Sequence, residues 1–461
     1  MGSFWDFDVW SWILLFGVLL GALLAGNVVK KAIPFLKNSL IPTSVLGGCI
    51  LLIVAAIFKF VTGDVMFDTA AFSGKGTQSL EIITYHTLAL GFIASSFKTS
   101  GGKLTKKRTS EIVNTGMTTV ATYLLQGIFG LAITMVAALI IKDFLAAAGV
   151  LLPFGYGQGT GQAMNYGSIY EVDFGFVGGK SFGLTIAALG FLSASIGGVI
   201  HLNVAKKRGK LVLSKRSDGS LHTDVADSES EIPMQESVDK MTVQIALIFM
   251  AYLAAYLIML ALGSLLPSMR SVIYGFNFLL GVLTATLIKI TLNALYKKKI
   301  ISKKYTNNFL MTRASNFFFD VMVVAGVAAI RLDILEDYWG IILILGVVGA
   351  VITYIYNHLI AKALFKDYYE EQFLAMYGML TGTASTGIIL LREIDKDFKT
   401  PASDNLVYQN FPAIVLGFPM MFLATLAPKR PLLTLIIFIV FFAVLNIALF
   451  RGFIFGRKKK K

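Results

Sequence analysis

Two short runs in this chain combine residue types that can hold a small solute or ion inside a membrane. The first is Gly155-Tyr156-Gly157-Gln158-Gly159-Thr160-Gly161-Gln162, and the second is Gly378-Met379-Leu380-Thr381-Gly382-Thr383-Ala384-Ser385-Thr386-Gly387. Each interrupts an apolar stretch with glycine and with hydroxyl or amide side chains. Glycine lets backbone approach a ligand closely and take up dihedrals that other residues avoid. Threonine and serine hydroxyls both donate and accept, so they serve either sign of charge. A helix broken at such a point aims N–H groups at an anion or carbonyls at a cation. A carboxylate follows each run at a similar distance, Glu171 after Thr160 and Glu393 after Thr383. The chemistry expected is reversible binding. Solute contacts fall to Gln158, Gly159, Thr160, Gly161, Gln162, Thr383, Ser385 and Thr386. The guanidinium of Arg392 is a bidentate partner for a carboxylate. Ion contacts fall to Thr381 and Gly382.

Three further residues are candidates for the ion. Asp320 sits well inside an apolar stretch, where a carboxylate is costly unless it is paired or faces water, and is functional by default. Asn316 lies four residues earlier and shares its helix face. Ser95 occupies the corresponding stretch of the first half and is small enough for backbone approach. Gln126, Asn277 and His86 read as helix-packing or interfacial groups.

The elements that must position these residues are membrane helices. The chain has 461 residues, 56% of them hydrophobic, and the excess sits in about eleven blocks long enough to cross a hydrocarbon core. The blocks lack the alternation of barrel strands, so they are helices, which satisfy their own backbone groups in lipid. The expected fold is an all-α polytopic membrane protein with two re-entrant hairpins in an inverted repeat. The net charge of +14 lies in short loops between blocks, where the positive-inside rule accounts for it; nucleic acid is not an expected partner. One cysteine excludes an intrachain disulfide. With no metal motif, no histidine-based dyad and no P-loop, neither an enzyme, a cofactor nor direct ATP drive is expected.

Residues 1–204 form the first repeat, with a hairpin over about 146–170. Residues 205–241 are a polar linker. Residues 242–428 form the second repeat, with a hairpin over about 372–391, and 429–461 add a helix and a basic tail. With the N-terminus outside, the lysine and arginine clusters all fall on the cytoplasmic side, provided that each hairpin enters and leaves by one face. The C-terminus is then cytoplasmic, in a bacterial inner membrane. An odd number of crossings per half makes the halves inverted, so the hairpins enter from opposite faces.

At these motifs the chain resembles the bacterial sodium/glutamate symporter family. Gly157-Gln158-Gly159-Thr160-Gly161 is similar to that family's Gly-His-Gly-Thr-Gly. Ile41-Pro42 with Val45-Leu46-Gly47-Gly48 resembles its second span, and Leu90-Gly91-Phe92 and Asn316 through Leu332 resemble the third spans of its halves. The resemblance implies sodium-driven uptake of glutamate or a related small anionic solute by a homodimer in the lipid bilayer. Gln158 replaces the family's histidine, Gln162 a small residue and Ser385 a proline, and Arg392-Glu393 stand where neutral residues are usual. These departures leave the solute open. Two alternatives stay beside this reading: proton-coupled transport of another amino acid or carboxylate, and a membrane sensor that transports nothing.

Overall fold

The computed structural model describes residues 3–34, 36, 41–98, 105–207, 238–302, 304–395 and 399–451. The regular elements among them are all helical. We label the α-helices α1 (Phe7–Ala32), α2 (Thr43–Thr62), α3 (Gly76–Phe97), α4 (Lys106–Ala137), α5 (Leu151–Gln158), α6 (Thr160–Phe174), α7 (Gly179–Lys207), α8 (Lys240–Leu265), α9 (Arg270–Gly275), α10 (Asn277–Lys297), α11 (Asn308–Ala328), α12 (Trp339–Leu364), α13 (Tyr369–Leu380), α14 (Ala384–Arg392), α15 (Ala402–Tyr408), α16 (Asn410–Leu426) and α17 (Pro431–Leu449). Among the described residues, ten helices are long and apolar enough to cross a membrane, or up to eleven if α15 and α16, bent by 48°, count as one span. The all-α polytopic fold expected from the apolar blocks is what the chain adopts. The break between α15 and α16 falls at Gln409.

The chain forms two compact units. One comprises residues 1–81, 104–214 and 323–461, and the other 82–103 and 215–322. The boundary cuts through α3 and α11 and does not follow the two sequence halves. The larger unit takes the glycine-broken segments of both halves, because both pack along one helix, α4.

The smaller unit has a core of Leu90, Ile93, Phe97, Ile248, Ala251, Met311 and Phe318. Buried polar groups there hold helices together. Asn277 donates to the Tyr85 carbonyl at 3.1 Å, Thr284 to that of Ala251 at 2.8 Å and Ser315 to that of Gly91 at 3.0 Å. Lys289 caps the end of α3 through the carbonyls of Ser96 and Lys98. His86 meets the Tyr252 hydroxyl at 2.7 Å, which agrees with its packing role.

In the larger unit α1 and α2 touch backbone to backbone. A Cβ on Gly47 would lie 2.8 Å from the Ala22 carbonyl, and one on Gly48 would lie 2.6 Å from Val327. The Gly47-Gly48 pair is therefore a close-packing device. Lys59 pairs with Asp333 at 2.8 Å, Lys180 with Glu81 at 2.9 Å, and Arg331 with Asp68 at 3.9 Å.

Candidate functional site

Helix α4 measures the site. Its 32 residues rise about 1.5 Å each, about 48 Å in all. The two broken segments attach to it at opposite ends.

The first starts beside the last turns of α4. The Thr134 hydroxyl donates to the Ala146 carbonyl at 2.7 Å and accepts from the Gly149 N–H at 3.0 Å. Gly130 and Gly149 are in backbone contact, which no side chain would permit. From there α5 runs back along α4 until the Tyr123 hydroxyl donates to the Gly157 carbonyl at 3.0 Å. Gly157 is glycine because a Cβ would overlap the Tyr123 ring. The chain then reverses at Gly159, whose φ of 82° and ψ of −172° suit glycine alone. The reversal is shown by Phe154 and Tyr166, stacked with centroids 3.8 Å apart. Twelve residues of continuous helix would separate them by about 18 Å. Helix α6 returns to the starting end, where Phe176 packs on Phe144 at 5.7 Å. Glu171 there accepts from the Lys180 N–H at 3.2 Å.

The second segment starts at the other end of α4. Asp367 pairs with Lys107 at 3.3 Å. Helix α13 then runs along α4. Gln372 donates to Thr115 at 3.3 Å near the start, and the Leu380 carbonyl accepts from Gln126 at 3.0 Å at the finish. Residues Thr381–Thr383 break the helix. The return is tight, since a Cβ on Gly378 would lie 2.8 Å from the Gly387 Cα. The exit is back where the segment began, with the Tyr368 hydroxyl accepting from Asn405 at 3.0 Å and Arg108 donating to the Pro401 carbonyl at 3.4 Å.

Two helical hairpins thus approach from opposite ends of α4, and their tips reach it three residues apart, at Tyr123 and Gln126. Helix α7 packs against both. A Cβ on Gly190 would lie 2.6 Å from the Thr381 carbonyl and 3.2 Å from Tyr156. Ser193 is held from both sides: its hydroxyl lies 2.9 Å from that of Tyr156, and its carbonyl accepts from Tyr377 at 3.0 Å.

The tips differ in their unmet polar demand. At the first, the N-terminus of α6 has no side-chain cap. Thr160 and Gln162 are buried there, and the Thr160 hydroxyl and the Gln162 amide nitrogen have no hydrogen-bond partner. At the second, Thr383 caps α14, accepting from the Thr386 N–H at 3.4 Å. Thr381 donates to the Tyr377 carbonyl at 2.7 Å. Thr381 and Thr386 are buried.

The candidate residues therefore fall into groups. Gly159, Thr160, Gly161 and Gln162 share the first tip, and half-buried Gln158 closes α5 beside them. Thr381, Gly382, Thr383 and Thr386 share the second. The side chain of Ser385 lies outside the described residues. Arg392 closes α14, about 13 Å of helix from Thr383. Ser95, Asn316 and Asp320 belong to the smaller unit, where Asn316 and Asp320 lie one turn apart on an exposed face of α11. Tyr123, Tyr156, Ser193 and Tyr377, which position the tips, carry no sequence signal; a lone tyrosine or serine in an apolar helix looks like any packing residue. At the base of the second hairpin, His201 lies 2.7 Å from Glu370 and 2.8 Å from the Tyr354 hydroxyl, which ties α7 and α12 to it.

Among protein families, the model described as sodium/glutamate symporter matches residues 8–400. No curated protein matches the chain.

Proposed function

The chain belongs to the sodium/glutamate symporter family, a family of membrane transporters, and from that premise we propose that it carries glutamate or a related small anionic solute into the cell with sodium. The hairpins are re-entrant, one from each face of the bilayer, and belong to inverted halves. The N-terminus is outside and the C-terminus cytoplasmic, and the transporter works as a homodimer.

One observation carries this reading. The uncapped start of α6 directs N–H groups to a place where the Thr160 hydroxyl and the Gln162 amide are buried without partners. Buried donors left unpaired cost about 1–3 kcal/mol each, and an anionic group supplies what they lack. Opposed hairpins that meet halfway along α4 support a site reached alternately from either face. Helix breaks inside a membrane are tolerated where protein or a wet cavity satisfies the backbone.

The test is uptake by proteoliposomes under an imposed sodium or proton gradient, with labelled glutamate and a panel of amino acids and dicarboxylates. Sodium-driven uptake of an anionic member is expected. Uptake driven by protons alone would replace the coupling ion, and no uptake of any member would favour a sensor.

A further inference from the structure

The charges of the smaller unit are one-sided. From Lys240 to Phe319 the sequence holds nine lysine and arginine residues and no carboxylate. They gather at one end of α10, whose 21 residues span about 30 Å. Near its start only Arg270 is found, over the Tyr274 ring at 5.9 Å, where the Tyr274 carbonyl accepts from Tyr85 at 2.7 Å. Toward its finish, Lys289 donates to the carbonyls of Ser96 and Lys98 and so brings in the end of α3. Gln244, early in α8, donates to the Tyr305 carbonyl at 2.8 Å and accepts from the Asn307 N–H at 3.0 Å. The starts of α8 and α11 therefore share this end with Lys297, Lys298, Lys299 and Lys304. Among the described residues the unit has two carboxylates. Asp239 caps α8, accepting from the Met241 and Thr242 N–H groups. Asp320 lies twelve residues along α11 from its start, about 18 Å.

The turn after α10 adds a second observation. The Ile300 N–H reaches the Leu295 carbonyl and the Lys299 N–H that of Tyr296, both at 3.0 Å. This closure pivots on a left-handed residue that is usually glycine. Here it is Lys299, at a φ of 58°. Cations suit a helix C-terminus, but Lys297 and Lys298 already provide them. A lysine is kept where glycine would sit without strain. Around it Tyr296, Ile300 and Tyr305 are 38%, 66% and 45% exposed. The Lys304 Nζ lies 5.6 Å from the centre of the Tyr296 ring.

We propose that this end of the smaller unit is a binding surface for anionic phospholipid headgroups. Phosphate diesters supply the negative charge that the unit lacks there. Lysine stems, tyrosine rings and Ile300 suit the apolar side of the same interface. A soluble acidic partner would meet the lysines and leave Ile300 in water. The positive-inside rule needs these charges during insertion, whereas a lipid surface uses them in the folded protein. The inference does not depend on which solute is carried.

The test is thermal unfolding of the full-length protein in a neutral detergent, with added phosphatidylglycerol, phosphatidylcholine or glycerol phosphate. Phosphatidylglycerol is expected to raise the melting temperature by about 4 °C. High salt should remove the rise, and the other two additives should give none. Lys297→Gln, Lys298→Gln and Lys304→Gln combined should lose most of it. Lys299→Gly keeps the geometry of the turn, so it should unfold no earlier than the unmodified protein without lipid and still lose part of the rise. An unchanged rise in both variants overturns the proposal. No rise in the unmodified protein also overturns it and leaves the lysines a role in insertion alone. A rise with glycerol phosphate would give the surface to a soluble phosphate. A rise that appears only after the carboxylates of residues 217–236 are changed to amides would give it to that acidic run.

Discussion

The first hairpin turns on a single residue, Gly159, held at a φ of 82°. The second turns over Thr381–Thr383 with a threonine cap and no left-handed residue. The uncapped turn leaves buried donors unserved at Thr160 and Gln162. Beside the capped turn, Gln126 donates to the Leu380 carbonyl and Gln409 to the Met379 sulfur, and the amide oxygens of both are without a donor. The first tip therefore keeps buried polar groups that a ligand could meet, whereas the second satisfies its own threonines.

Breaking the first turn has the largest expected effect. Gly159→Val forces a β-branched residue into a conformation that costs about 1–3 kcal/mol, and it should abolish uptake while lowering thermal stability. At the second tip, Gly382→Ala places a Cβ 3.0 Å from the Thr386 hydroxyl and should keep most uptake. Equal losses in both would show that the tips are not specialised.

The next effect sharpens the division of labour. Hydrogen bonds to a charged group are worth about 1.5–3 kcal/mol. Thr160→Val and Gln162→Leu should therefore each raise the solute KM roughly 10- to 100-fold in initial-rate uptake. Sodium half-saturation should stay within about 2-fold. The smallest effect is at the cap. Thr383→Ala should cost about 1 kcal/mol of stability, seen as a lower melting temperature with the solute KM nearly unchanged.

The apolar blocks, the two broken segments and the family pattern around Gly157–Gly161 are legible in the sequence, because glycine clusters in membrane helices have few causes. The hold of Gln126 on the second hairpin is not. An amide in an apolar helix serves interhelical packing as readily as an ion, and only its partners decide. Those of Gln126 lie 227 and 254 residues away. The compact units are equally hidden, because the linker at 205–241 marks a sequence division while the hairpins of both halves pack on α4. Asp320 stands out in the sequence by its charge, yet it lies in the smaller unit.

The opposed entry of the hairpins is tested most directly by labelling their bases with a membrane-impermeant thiol reagent. Cys49→Ser provides the background, carrying Lys142→Cys, Asp173→Cys, Asp367→Cys or Lys399→Cys in sealed vesicles of known orientation. The first two should label only from one face and the last two only from the other. Labelling of positions 142 and 173 from opposite faces, or of all four from the same face, would contradict the account.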